Sequence, residues 1–135
     1  SSALEQDFSY WTWGRFPTSE GSYTFYDAIP RRDKNVNISL LFKNNGKVEK
    51  VLNPPKVAKL SRSLWLVKRE TRSDVNFKPR QIKHMLDTPF YTRSGIETSI
   101  LGERSIGVHE ALDLNRFSNP LLKPILAVKV PRFIR

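Results

Sequence analysis

The chain has 135 residues, enough for one domain that buries roughly two thirds of its unfolded surface without a covalent or metal staple. It has no cysteine and only two histidines, His84 and His109, which excludes disulfides, a cysteine nucleophile and thiolate or histidine-rich metal sites. A net charge of +10 favours anionic partners. The basic residues are nevertheless scattered from Arg31 to Arg135 without an RNP, KH or helix-turn-helix pattern, so nucleic-acid binding would rest on charge alone.

The first element is "DFSYWTWGRF", where strand alternation puts Trp11 and Trp13 on one face with Ser9, and Phe8 and Tyr10 on the other. After the turn "PTSEG" comes "SYTFYDAI", which aligns Asp27 with Tyr23, Phe25 and Ile29 and turns Tyr26 the other way. Alternation and turn punctuation predict strands at 8–14, 22–29, 36–43, 47–51, 63–70, 80–87, 95–102 and 105–112, with an Asn-Gly hairpin at Asn45 and Gly46. "LNPPKVAKL", with its paired prolines, reads as a crossing segment rather than a strand. In "QIKHMLD", His84 shares a face with Ile82 and Leu86 and reads as a core histidine. In "LDTPFYTRS", Thr88 and Pro89 end a strand, Phe90 and Tyr91 are placed to close a barrel mouth or meet a second domain, and Arg93 can pair with Asp87 or Glu97.

"VHEAL" puts His109 and Glu110 on opposite faces of a strand, which rules out an HExxH zinc site; Glu110 is expected to pair with an arginine such as Arg116. Alternation stops after Leu114, and the proline-broken tail is irregular or forms one or two helical turns around Leu121 to Val128. Residues 123–135 mix apolar and cationic side chains, suited to a membrane surface, a second domain or the chain's own core. No apolar run approaches the ~18 residues of a membrane-spanning helix, so the chain as given reads as soluble, with its compartment open. The pattern as a whole predicts an all-β fold, an antiparallel barrel or sandwich.

Five motifs stand in the order "WTWGRFP", "YDAIPRRD", "LDTPFYTRSGIE", "GERSIGVHEALDLNRF" and "VPRF". Together they resemble the C-terminal part of carotenoid 1,2-hydratases, also called hydroxyneurosporene synthases, and their AttH-like relatives, from Tyr10 to Phe133. The resemblance implies a lipocalin-like β fold, with residues 1–135 forming one such domain. Members of the family usually have two, with an apolar ligand site near the junction. It also implies cofactor-free addition of water to the terminal C1–C2 double bond of an acyclic carotenoid. The family often carries a histidine two residues before the tryptophan of its "WGR" motif, where this chain has Trp11.

Hydrating an isolated alkene needs a proton for C2, stabilisation of a tertiary cation at C1, and water. A carboxyl group in an apolar site can stay protonated near neutral pH and act as the acid. Asp27 is the expected proton donor, the residue that the resemblance also points to; the competing reading is a strand-end aspartate paired with Arg31 or Arg32. Trp11 and Trp13 are expected to line the ligand and stabilise the cation, with Tyr23, Phe25, Tyr26, Phe90 and Tyr91 as further ligand-contact residues. No metal or cofactor is expected, and the partner is a hydrophobic polyene or isoprenoid. The alternatives are a non-catalytic carrier of the same fold and, more weakly, a nucleic-acid binder.

Overall fold

The structure is a computed structural model, described here over residues 8–30 and 34–114. The described residues form nine strands and no α-helix: β1 (Phe8–Thr18), β2 (Gly21–Pro30), β3 (Val36–Lys43), β4 (Val48–Lys50), β5 (Lys56–Lys59), β6 (Glu70–Ser73), β7 (Arg80–Asp87), β8 (Tyr91–Ile100) and β9 (Glu103–Asp113). Seven make one antiparallel sheet in the order β4-β3-β2-β1-β9-β8-β7, and β5 and β6 form a separate two-stranded ribbon. The sheet stays open between β4 and β7, in keeping with the all-β barrel-or-sandwich expectation. Its terminal segment, including residues 123–135 and Arg116, lies outside the described residues, as do Arg31 and Arg32.

Tight turns set the register. Leu101 and Gly102 both have positive φ, 52° and 84°, the combination of a two-residue hairpin whose twist matches its strands. The Asp74 carboxylate holds this turn, accepting hydrogen bonds from Leu101 N at 3.1 Å, Gly102 N at 2.8 Å and Ser99 Oγ at 2.7 Å. Gly46, with φ of 87°, closes the predicted Asn-Gly hairpin between β3 and β4. At the β1–β2 turn, the Glu103 carboxylate accepts hydrogen bonds from the Ser19 backbone N–H and hydroxyl and ties it to the start of β9.

The ribbon of β5 and β6 attaches to one face of the sheet, here called the inner face. Glu70 N donates to Tyr10 Oη at 2.8 Å, and Thr98 Oγ1 donates to Arg72 O at 2.8 Å. Beneath it lies the core of Phe16, Tyr23, Phe25, Leu41, Leu60, Ile96 and Ile100, with the Phe16 and Phe25 rings stacked at 6.3 Å. Gly14 makes this stacking fit, since a Cβ there would collide with both rings.

Three expectations are corrected. The predicted crossing segment contains β5, because Pro54 and Pro55 precede the strand and leave its ladder with β6 intact. The strand expected at 63–70 is mostly a loop: Ser63 Oγ accepts from Val67 N, Leu66 takes φ of 61°, and local turn bonding overrides alternation. The face of β7 expected to be core is open. Ile82 and Leu86, the two residues expected to share that face with His84, are exposed on an edge strand whose register shifts twice, so that regular alternation does not persist; the His84 side chain lies outside the described residues.

Candidate functional site

The register gives the sheet two chemically different faces. On the inner face Thr92, Ala111, Thr12, Asp27 and Asn37 form one row across β8, β9, β1, β2 and β3. On the outer face the next row is Arg93, Glu110, Trp13, Tyr26 and Ile38, and the row beside it is Tyr91, Leu112, Trp11, Ala28 and Val36. Asp27 and the two tryptophans therefore lie on opposite sides of one sheet, and the joint site expected from the sequence does not form.

Asp27 borders a cavity of about 250 Å³ between the inner face and the ribbon, lined also by Tyr10, Thr12, Asn37, Glu70 and Arg72. Pockets for drug-sized ligands usually measure about 300–1,000 Å³, so this cavity accommodates a chain end and not a whole polyene. The alternation that aligned Asp27 with Tyr23 and Phe25 holds, but those two rings are wholly buried core and lie beneath the cavity. Asp27 is ion-paired, though with neither Arg31 nor Arg32. Arg72 Nη2 donates to Oδ1 at 2.6 Å, Arg72 Nε to Oδ2 at 2.9 Å, and Asn37 Nδ2 to Oδ1 at 2.8 Å. All three hydrogen bonds, two from Arg72 and one from Asn37, are donated to Asp27, which suits a carboxylate. Neither Arg72 nor Asn37 was singled out in the sequence, because they come from β6 and β3 and meet Asp27 only in the tertiary fold.

Deeper on this face, His109 is fully buried beside Phe25 and its Nε2 donates to Glu70 O at 2.7 Å. That bond assigns the proton to Nε2 and leaves Nδ1 buried with no partner among the described residues. Burial disfavours the cation and pulls the imidazole down to about 4, so His109 is neutral at physiological pH. Arg69, also buried, has a guanidinium pushed down by the same desolvation, and its Nε and Nη2 lack partners among the described residues.

The outer face carries the aromatic cluster. Tyr26 lies between the two tryptophans, 6.4 Å from Trp11 and 6.2 Å from Trp13 by ring centroids. Tyr26, Ile38 and Val36 are exposed, while Leu112, Tyr91 and Glu110 at the other side of the rows are buried. Phe90 is buried at the foot of β8, where its carbonyl accepts from Asp113 N, and neither it nor Tyr91 borders the inner cavity. Glu110 pairs with Arg93, at 3.5 Å from Nε to Oε1, an ion pair that the sequence reading of Arg93 did not include. Glu97 pairs with Arg80 instead. Desolvation pushes the Glu110 carboxyl above the usual range, opposed by Arg93 and by a hydrogen bond from the Tyr91 hydroxyl.

Sequence comparison sets this geometry among known proteins. Residues 1–135 match the family described as Carotenoid hydratase CrtC. The chain is 48% identical over 132 residues to the acyclic carotenoid 1,2-hydratase of Cereibacter sphaeroides, covering 98% of the chain and 47% of that protein. It is 46% identical over 130 residues to the acyclic carotenoid 1,2-hydratase of Rhodobacter capsulatus, covering 96% of the chain and 46% of that protein. With the enzyme of that name from Thiocapsa roseopersicina, identity is 36% over 129 residues, 96% of the chain and 32% of that protein. The chain thus spans about half or less of the length of these relatives. No solved structure matches it. With the match covering the whole chain, the protein belongs to the carotenoid hydratase family.

Proposed function

We propose that this chain is part of an enzyme that adds water to the terminal double bond of an acyclic carotenoid by acid catalysis, without a cofactor. Family membership over residues 1–135 carries the reading, and the Trp11, Tyr26 and Trp13 cluster supports it. Aromatic faces give a polyene large apolar contact area and favour a nearby carbocation by about 0.5–2 kcal/mol each. We further propose that residues 1–135 are one lipocalin-like domain of that enzyme.

Asp27 serves as the proton donor once the substrate's end enters the inner cavity, and it can donate only after release from Arg72 and Asn37.

The test is turnover by the protein in the longest form its coding sequence specifies. Incubated with acyclic carotenoids in isotopically labelled water, it should yield a tertiary alcohol carrying one labelled oxygen, identified by mass spectrometry. Tight polyene binding with no alcohol formed would make it a carrier instead.

A further inference from the structure

We propose that the tip of the β5–β6 ribbon docks on a lipid bilayer carrying anionic headgroups. The connection between the two strands folds back as an extension of the ribbon, through Leu60 N to Arg69 O at 3.0 Å and Ser63 N to Val67 O at 3.5 Å. Leu66 N donates to Ser63 O at 2.9 Å and closes a turn with Leu64 and Trp65 at its centre. Turn centres usually carry glycine, asparagine, aspartate or proline. Here they carry two large apolar side chains, and a third follows: Leu64 is 92% exposed, Trp65 45% and Leu66 61%. Leu66 also takes φ of 61°, a left-handed conformation unfavourable for leucine. The fold gains nothing from an exposed leucine held in that conformation, so its use lies outside the fold.

The chemistry around the tip says what it meets. From Lys56 to Arg72 the ribbon carries six cations, Lys56, Lys59, Arg62, Lys68, Arg69 and Arg72, against one acid, Glu70. Lys56, Lys59 and Arg62 are exposed, while Arg72 is taken up by Asp27. An apolar tip collared by cations matches a bilayer, whose hydrocarbon takes the leucines and whose anionic headgroups take the lysines and arginines. Protein interfaces are by contrast poor in lysine and involve roughly 20 residues a side, far more than one turn can offer. Backbone groups that leave water also need internal partners. Leu64 N donates to Asp87 Oδ2 at 2.9 Å, Val67 N to Ser63 Oγ at 3.1 Å, and Leu66 O accepts from Arg62 Nη1 at 2.8 Å.

The same ribbon walls the inner cavity through Val57, Glu70 and Arg72. Glu70 follows Leu66 by four residues, at most about 14 Å of chain. The cavity holds only the end of a polyene, and the remainder of so apolar a molecule is costly to expose to water. A bilayer at the ribbon tip keeps that length in lipid while the end reaches Asp27. The lipid contact rests on the ribbon's own residues, and its use in presenting the polyene rests on the hydration reading above.

The test is co-flotation of the protein, in the longest form its coding sequence specifies, with vesicles of phosphatidylcholine alone or in a three-to-one mixture with phosphatidylglycerol. The wild type should bind the mixed vesicles more tightly, and high salt should weaken that binding. Leu64→Ser combined with Leu66→Asn should weaken it about ten-fold or more, with the thermal midpoint kept or raised, because Leu64 is exposed and asparagine tolerates the positive φ. Lys59→Gln should weaken binding to the mixed vesicles about five-fold and to phosphatidylcholine little. The double variant should hydrate detergent-dispersed carotenoid at the wild-type rate and vesicle-borne carotenoid about ten-fold more slowly. A wild type that does not float, or a double variant that floats equally, overturns the docking surface. So does a double variant that melts well below the wild type, since the tip would then pack against the rest of a longer chain. Alcohol formation from detergent-dispersed carotenoid is read separately, and its absence removes the hydration reading without touching the vesicle result.

Discussion

Trp13 and Glu110 are direct register partners on β1 and β9, on the face of the sheet that Asp27 does not share. A ring that stabilises a cation must lie on the substrate's side, so the effects of the aromatic residues report which face is used. Under the hydration reading, Trp13→Phe should slow turnover about five-fold, since it gives up part of a cation–π interaction of about 1 kcal/mol and keeps an aromatic face. Trp13→Ala should slow it more. Equal, negligible effects of both on kcat would place the reacting carbon elsewhere.

The Asp27 and Arg72 pair should contribute to stability whatever its part in chemistry. Both side chains are largely buried, at 20% and 12% exposure, and removing either one strands the other's charge. Asp27→Asn and Arg72→Met should each destabilise by about 1–3 kcal/mol, and the double variant by less than their sum. Urea denaturation of the two single variants and the double variant checks this. Additive losses would mean that the pair is not coupled. Activity of Asp27→Asn therefore has to be compared at equal fractions folded.

His109 should make the fold acid-sensitive. Its imidazole titrates near 4 when folded, against about 6.5 when free, so between these values the unfolded chain binds the extra proton. The stabilisation is complete above about pH 6.5 and is lost as pH falls towards 4, in total about 3 kcal/mol. Glu110, shifted upward by burial, works in the opposite sense, its contribution being lost as pH rises through its folded value. Chemical denaturation across this range is therefore best done in a Glu110→Gln background. There His109→Gln should flatten the slope; an unchanged slope would show that another group causes it.

The β8–β9 turn depends on one side chain. Asp74→Ala removes acceptors for Leu101 N, Gly102 N and Ser99 Oγ, and should cost about 1–3 kcal/mol in thermal or urea unfolding. Leu101→Asn should stabilise slightly, because asparagine tolerates the positive φ that leucine is forced to adopt here.

Gly14 should resist even the smallest enlargement. Gly14→Ala puts a methyl group into the Phe25 and Phe16 rings, and overpacking of this kind costs about 1–3 kcal/mol. A stable variant with unchanged near-ultraviolet circular dichroism would mean that the rings repack freely.

Local chemistry in the sequence determined most of the architecture. Period-two alternation and the Asn45-Gly46 turn identify β1, β2, β3, β7 and β9, and place Trp11 with Trp13 and Asp27 with Tyr23, because the side-chain period is a property of the strand itself. Alternation gives each strand two faces, but it does not say how the faces of different strands correspond. That depends on register, where a shift of one residue exchanges the faces, and here register set Glu110 rather than Asp27 against Trp13. Arg72 reached Asp27 for a related reason: the ribbon that carries it is 45 residues away along the chain and docks onto the inner face through backbone and hydroxyl hydrogen bonds that leave no periodic trace. The residue types and their local spacing were thus legible in the chain, whereas the partner of each acid was decided by long-range pairing, which only the closed set of tertiary hydrogen bonds specifies.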